Sequence, residues 1–262
     1  YAIGAYEDCK EWYQKAVEID REIDDQLKTI DSAFALSASL LVLGDIYIRS
    51  QEYQISERYY SEALSLRRRI LDAYDSDEHR IQYGEALISQ GTILTLTKSF
   101  AAAKALFREA EIIFKNIAEE SGTIESQHTY SLVLNRLGKI CELEHDYEGA
   151  LTYYKKALVR REKILRHIRT NETIYEYALT EYFIAEACRQ KSESANAKRS
   201  YEKVVTLLLP VLVNDRKGDC HQIFYEAAFE RFKLDTYSGK KYLRFAIEAL
   251  EWLVEQKSYN KQ

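Results

Sequence analysis

Along most of the chain the apolar residues recur at i, i+3, i+4 and i+7, as in Tyr60, Ala63 and Leu64 with Ile70 and Leu71 further on. This is the period of an amphipathic helix, not the alternation of a half-buried strand. Short polar clusters interrupt the pattern. Asp31-Ser32, Asp75-Ser76-Asp77, Ser121-Gly122-Thr123, and Thr170-Asn171 before Glu172 read as helix starts. Gln51-Glu52, His145-Asp146 and Lys191-Ser192 read as tight turns between helices. The predicted unit is therefore a helix–turn–helix hairpin.

The hairpins repeat. Four octets align without gaps, AVEIDREI from Ala16, ALSLRRRI from Ala63, AEIIFKNI from Ala110 and ALVRREKI from Ala157, each start 47 residues after the last. The same interval relates the small residues Cys9, Ser56, Ala103, Ala150 and Ala197, and the rings Tyr13, Tyr60, Phe107, Tyr154 and Tyr201. It also relates Gly44, Gly91, Gly138 and Ala185. Small residues belong where two helices approach closely, and a ring one turn away fills the space beside that contact.

These residues resemble the tetratricopeptide repeats, whose signature runs Leu-Gly, Tyr, then Ala-x3-Phe-x2-Ala. Leu43-Gly44, Tyr47, Ser56, Tyr60 and Ala63 stand in those places, and Leu137-Gly138, Cys141, Ala150, Tyr154 and Ala157 repeat them. The departure is length, 47 residues against about 34, and the pattern is closest to long-helix variants such as kinesin light chains. The resemblance implies an all-α, right-handed superhelical solenoid of about eleven helices. The repeat array is expected over residues 1–210, as a partial repeat at 1–26 and hairpins at about 31–74, 77–120, 125–168 and 172–210. Residues 211–262 read as a divergent terminal hairpin acting as a cap, with Ala246, Leu250 and Leu253 on its inner face. Pro210 is expected to end or kink the helix that contains it.

Composition agrees with long helices. The chain of 262 residues has 1 proline and 9 glycines, where average usage would give roughly 13 and 18. The formal net charge of −5 argues against a dedicated nucleic-acid partner. The uncharged runs Ser32–Gly44 and Val204–Asn214 are short of the roughly 20 residues a membrane span needs, so no membrane partner is expected. Four scattered cysteines, Cys9, Cys141, Cys188 and Cys220, form no disulfide framework, and a reducing cytoplasm is the expected location. The chain starts at Tyr1 and lacks methionine, so it is read as a piece of a longer chain.

Motifs for chemistry are weak. No Gly-rich phosphate loop and no G-x-S-x-G elbow occurs. Glu125/His128 and Glu142/His145 have the Glu-x-x-His spacing of a di-metal site, but their 17-residue separation on one helix is about 25 Å. They read as surface histidines. Cys220-His221 lacks the further ligands of a zinc site. Arg67-Arg68-Arg69 and Arg160-Arg161 read as a solvated face. Neither catalysis nor a cofactor is expected.

Function is placed instead on the groove that the first helices of such repeats line. The family register puts Asp45, Arg49, Ser89, Thr92, Asn135, Arg136, Lys139, Tyr182, Glu186 and Arg189 there. Its middle is polar to cationic, with acids to either side, which suits a protein or peptide segment with an acidic group near its centre. Asp45, Ser89 and Leu132 depart from the positions of the family's chaperone-tail clamp. The expected function is a protein-interaction scaffold. The alternative is a peptide- or ligand-sensing module that controls an attached or partner effector domain. Tyr242, Phe245 and Trp252 are expected to offer a surface for self-association. If the register is right, Ala150→Leu overpacks a helix contact and lowers stability by about 1–3 kcal/mol, measured by urea unfolding; an unchanged midpoint would refute the register.

Overall fold

The computed structural model describes residues 2–212, 219–237 and 239–259, with side chains between positions 9 and 255. Among them are eleven helices and no strand: α1 (Ala2–Leu27), α2 (Ile30–Arg49), α3 (Tyr53–Ala73), α4 (Asp77–Leu96), α5 (Phe100–Glu120), α6 (Ile124–Leu143), α7 (Tyr147–His167), α8 (Asn171–Gln190), α9 (Ser194–Leu208), α10 (Asp219–Leu234) and α11 (Lys240–Tyr259). α2, α4, α6 and α8 start 47 residues apart, and so do α3, α5, α7 and α9.

The helix starts share one device. Thr29, Ser76, Thr123 and Thr170 are the N-caps, each hydroxyl accepting a backbone N–H three residues on, from Ser32, His79, Ser126 and Thr173. This satisfies one of the amides that a helix start leaves bare. The first cap is thus Thr29 rather than the expected Asp31-Ser32, which lie inside α2. The hairpin turns share another. Gln51, Lys98, His145 and Ser192 adopt positive φ of 62–63°. The next amide in each case closes back onto the preceding helix, Glu52 on Tyr47, Ser99 on Leu94, Asp146 on Cys141 and Glu193 on Cys188, at 2.8–2.9 Å. This is a left-handed helix end built without glycine.

Packing divides the chain into two compact units, Tyr1–Gly122 and Thr123–Gln262. In the first, consecutive helices pack on one another and α2 lies beside α4. Pairs such as Arg21–Glu62 and Arg68–Glu109 tie α1 to α3 and α3 to α5 as the second layer. In the second, α8 lies between α6 and α10, linked by Asn135–Thr180 on one side and Arg189–Glu230 on the other, with α7, α9 and α11 packed against them.

Inside the first three hairpins the ring column lies on the glycine column. A Cβ on Gly44 would stand 2.5 Å from the Tyr60 ring, one on Gly91 2.7 Å from Phe107, and Gly138 meets Tyr154 in the same way. Tyr60, Phe107, Tyr154 and Tyr201 are among the largest fully buried side chains. Ser56 completes the first contact by donating its hydroxyl to the Gly44 carbonyl at 2.9 Å.

Three expectations need correction here. Arg67 and Arg161 are not solvated: they are 6% and 5% exposed. Arg67 donates to Gln82 at 2.8 Å and covers the Phe34 ring at 4.1 Å, while Arg161 binds Glu176. Their column faces the next helix, and the long apolar stem lets the guanidinium cross that contact. Second, Ala246 and Ala249 form the inner face of α11, and Leu250 is 42% exposed. Tyr242, Phe245 and Trp252 turn toward α10, where Phe245 meets Phe224 and Trp252 stacks on the buried His221 at 3.7 Å between ring centroids. The exposed apolar residues of α11 are instead Ile247, Leu250 and Val254. Third, counting uncharged runs overlooked α2, the one described helix long and apolar enough to cross a membrane. Half of that segment is buried within its unit, as in the core helix of a stack. α9 ends at Leu208, just before Pro210, and is six residues shorter than α7.

One buried acid joins three helices. Asp24 of α1, 6% exposed, accepts from Ser32 at 2.7 Å and from Arg69 at 2.9 and 3.0 Å. Burial pushes its pKa up, but the bonds from Arg69 and Ser32 and the charge of Arg69 outweigh burial and lower it below the usual carboxylate value. Such a group stabilises the fold above its unfolded pKa and loses that contribution as pH falls through its folded pKa. Asp24→Asn should therefore cost about 1–3 kcal/mol at pH 7, and the gap from wild type should narrow below about pH 4. Urea midpoints at several pH values check this.

Candidate functional site

The expected groove residues fall in two sets. Asp45 and Arg49 on α2 with Ser89 and Thr92 on α4 belong to the first unit; Asn135, Arg136 and Lys139 on α6 with Tyr182, Glu186 and Arg189 on α8 belong to the second. Each set lies on neighbouring helices of one layer.

In the first unit Asp45 and Arg49 are exposed and Ser89 and Thr92 half-buried. Asp45 accepts a hydrogen bond from the hydroxyl of Tyr60, the ring that rests on Gly44. Thr92 returns its hydroxyl to the Ile88 carbonyl at 2.8 Å, inside its own helix.

The second unit is richer. Asn135 is buried at 8% exposure, and its Nδ2 donates to Thr180 Oγ1 at 3.0 Å. Its Oδ1 has no partner. Beside it Arg136 is exposed and makes no ion pair among the described residues. Although solvent reaches it, the protein around the guanidinium desolvates it and lowers its pKa. Lys139 is neutralised by Glu142 at 2.7 Å, and Arg189 by Glu186 at 2.7 Å with Glu230 at 3.7 Å. Those bonds to Glu186 raise the pKa of Arg189 further. Tyr182 is half-buried, its pKa raised by burial, by the charge of Glu186 and by Glu226. The face thus runs from a bare cation on α6 to paired charges on α8 and carboxylates on α10.

The ring column reaches this face from behind. Tyr60 donates to Asp45 and Tyr201 to Glu186, while Tyr154 donates to Glu142 at 2.9 Å. Asp45, Thr92, Lys139 and Glu186 share one 47-residue column. A phenol stands behind each acid of that column, and Phe107, without a hydroxyl, stands in the repeat that has Thr92. Where the column has Lys139, the phenol turns to Glu142, which holds the lysine as well. Glu142, Thr180 and Glu230 were missed as site residues; reading the two columns side by side would have found the first.

His128 differs from the surface reading, whereas His145 is exposed as expected but lies off the helix. His128 Nε2 lies 2.7 Å from Glu176, the carboxylate that Arg161 also binds. Burial and the charge of Arg161 lower its pKa. His145 sits in the α6–α7 turn beside the Tyr147 hydroxyl. Among the described residues no three His, Cys, Asp or Glu side chains gather as metal ligands.

Comparison with known proteins fits this architecture. Residues 36–80, from within α2 to the start of α4, match the family model for the tetratricopeptide repeat. BtubC from P. vanneervenii superposes with a TM-score of 0.67 at 16% identity, over 98% of this chain and 92% of that one. Residues 36–80 thus match a tetratricopeptide repeat, and the chain as a whole shares the fold of solved TPR-like helical repeats. A putative kinesin light chain with nearly identical TPR-like repeats, from Podosopora anserina, gives 0.60 at 12% identity over 81% and 94%. The apo form of RapI gives 0.67 at 15% identity over 98% of this chain, which spans 63% of RapI. No curated protein matches in sequence.

The tetratricopeptide-type columns make a direct test available. Tyr201→Phe leaves Glu186 without its buried donor and should cost about 1 kcal/mol. Adding Glu186→Thr copies the Phe107–Thr92 repeat and should recover most of the loss. The coupling read from a double-mutant cycle should be about 0.5–3 kcal/mol; additive effects would show that the two columns are independent.

Proposed function

We propose that this chain is a non-catalytic scaffold that binds a protein or peptide segment carrying an acidic residue, along the α6–α8–α10 face of the second unit. The observation that carries this reading is Arg136. Ion pairs occupy Lys139 and Arg189, whereas Arg136 is exposed, partly desolvated and unpaired. A guanidinium in that state gains from a carboxylate that supplies two parallel hydrogen bonds. Glu226 on α10, beside Tyr182, favours a basic group at the other end of the ligand. Asp45, Arg49, Ser89 and Thr92 offer a separate polar face in the first unit.

Arg136→Glu combined with Lys139→Glu should abolish capture of the partner that the wild-type chain recovers from a native extract. Helicity by circular dichroism and the melting temperature should not change. Capture at wild-type yield would remove the site from this face.

A further inference from the structure

A cleft of about 690 Å³ opens in the first unit, on the α3/α5 layer. Its origin is a local departure from the repeat. Ala33 and Ile70 belong to one core cluster, and Ile174 and Val211 to another. In the α4/α5 hairpin the corresponding pair is Arg80 and Ile117. Arg80 cannot fill the place of Ala33, because Asp75 draws its guanidinium outward at 2.6 and 2.7 Å, with Asp77 at 3.1 Å. Ile117 is consequently half-buried where Ile70, Ile164 and Val211 are fully covered.

The floor of the cleft is aliphatic, from Leu71, Ile113 and Ile117, and Ile112 stands at its rim 64% exposed. The rim is acidic. Two arginines face four carboxylates, Asp72, Asp75, Glu109 and Glu120. Arg68 is already bound to Asp72 and Glu109 at 3.1 Å each, and Arg80 to Asp75. Glu120 is exposed with no ion pair among the described residues. It also ends α5, where the helix dipole adds negative potential. Asn116 beside it is exposed and makes no side-chain hydrogen bond among the described residues. A cleft of this size with an apolar floor and few free polar groups has the make-up of a binding pocket.

We infer that this cleft is a second docking site, independent of the face that carries Arg136, for a segment of another protein that presents an aliphatic or aromatic side chain next to a lysine or arginine. The apolar side chain lies on Leu71, Ile113 and Ile117, the cation pairs with Glu120, and Asn116 bonds the main chain. The partner class follows from charge complementarity, since the only free ionic group on the rim among the described residues is a carboxylate.

A random dodecapeptide library displayed on phage and selected against the full chain tests this. Two variants at exposed positions, Ile112→Glu and Glu120→Lys, leave the core untouched. Peptides pairing a basic residue with an adjacent apolar one should be enriched. Their binding should weaken at least about tenfold, or some 1.4 kcal/mol, on either variant and persist on Arg136→Glu. Enrichment of acidic peptides only, binding that survives both cleft variants, or no enrichment at all would overturn the inference. Binding lost on Arg136→Glu alone would support the α6 face and reject the cleft.

Discussion

The contact between an aromatic ring and a glycine of the preceding helix sets the geometry of this protein. Gly44, Gly91 and Gly138 lie so close under Tyr60, Phe107 and Tyr154 that even a methyl group would collide with the ring. The absent side chain lets two helices approach, and the ring turns that approach into buried area. A glycine without the ring would leave a void, and in the fourth hairpin, where Ala185 replaces the glycine, Tyr201 is still fully buried. The small residues Ser56, Ala103, Ala150 and Ala197 complete the contact, each fully buried one turn before its ring.

The hydroxyl on most of those rings gives the core a second role. Through Tyr60, Tyr154 and Tyr201 the packing layer reaches the opposite layer and fixes the carboxylates of Asp45, Glu142 and Glu186. Glu142 and Glu186 in turn neutralise Lys139 and Arg189. Among the described residues Arg136 is thus the α6 arginine or lysine left without an ion pair, because Glu142 already holds Lys139. The polar surface of these helices is what remains after packing has taken its share of the polar groups.

Periodicity made the helices, the hairpins and the ring and glycine columns legible from sequence, because each is a repeated local event. What it could not show is where a long side chain goes. Arg67 and Arg161 look like members of basic runs, yet they cross to the next helix and are buried. Asn135 looks like a groove residue, yet half of its amide belongs to Thr180, 45 positions away. Tyr242, Phe245 and Trp252 lie beyond the last regular repeat, where no column predicts which side of α11 faces α10. The cleft was hidden for a related reason. Its cause is Arg80, drawn outward in a column where Ala33, Gln127 and Ile174 are buried, visible only once the neighbours of that column are known.

The bonds between hairpins have one more property. Arg21–Glu62, Asp24–Arg69, Asn135–Thr180 and His128–Glu176 span 41, 45, 45 and 48 residues, about one repeat each. Separation in these bonds is thus held to about one repeat, and each closure costs the same modest loop entropy as the last. No hairpin has to wait for a remote segment of the chain. Order can begin at any repeat and spread to its neighbours, so the folding route is set by whichever hairpin forms first.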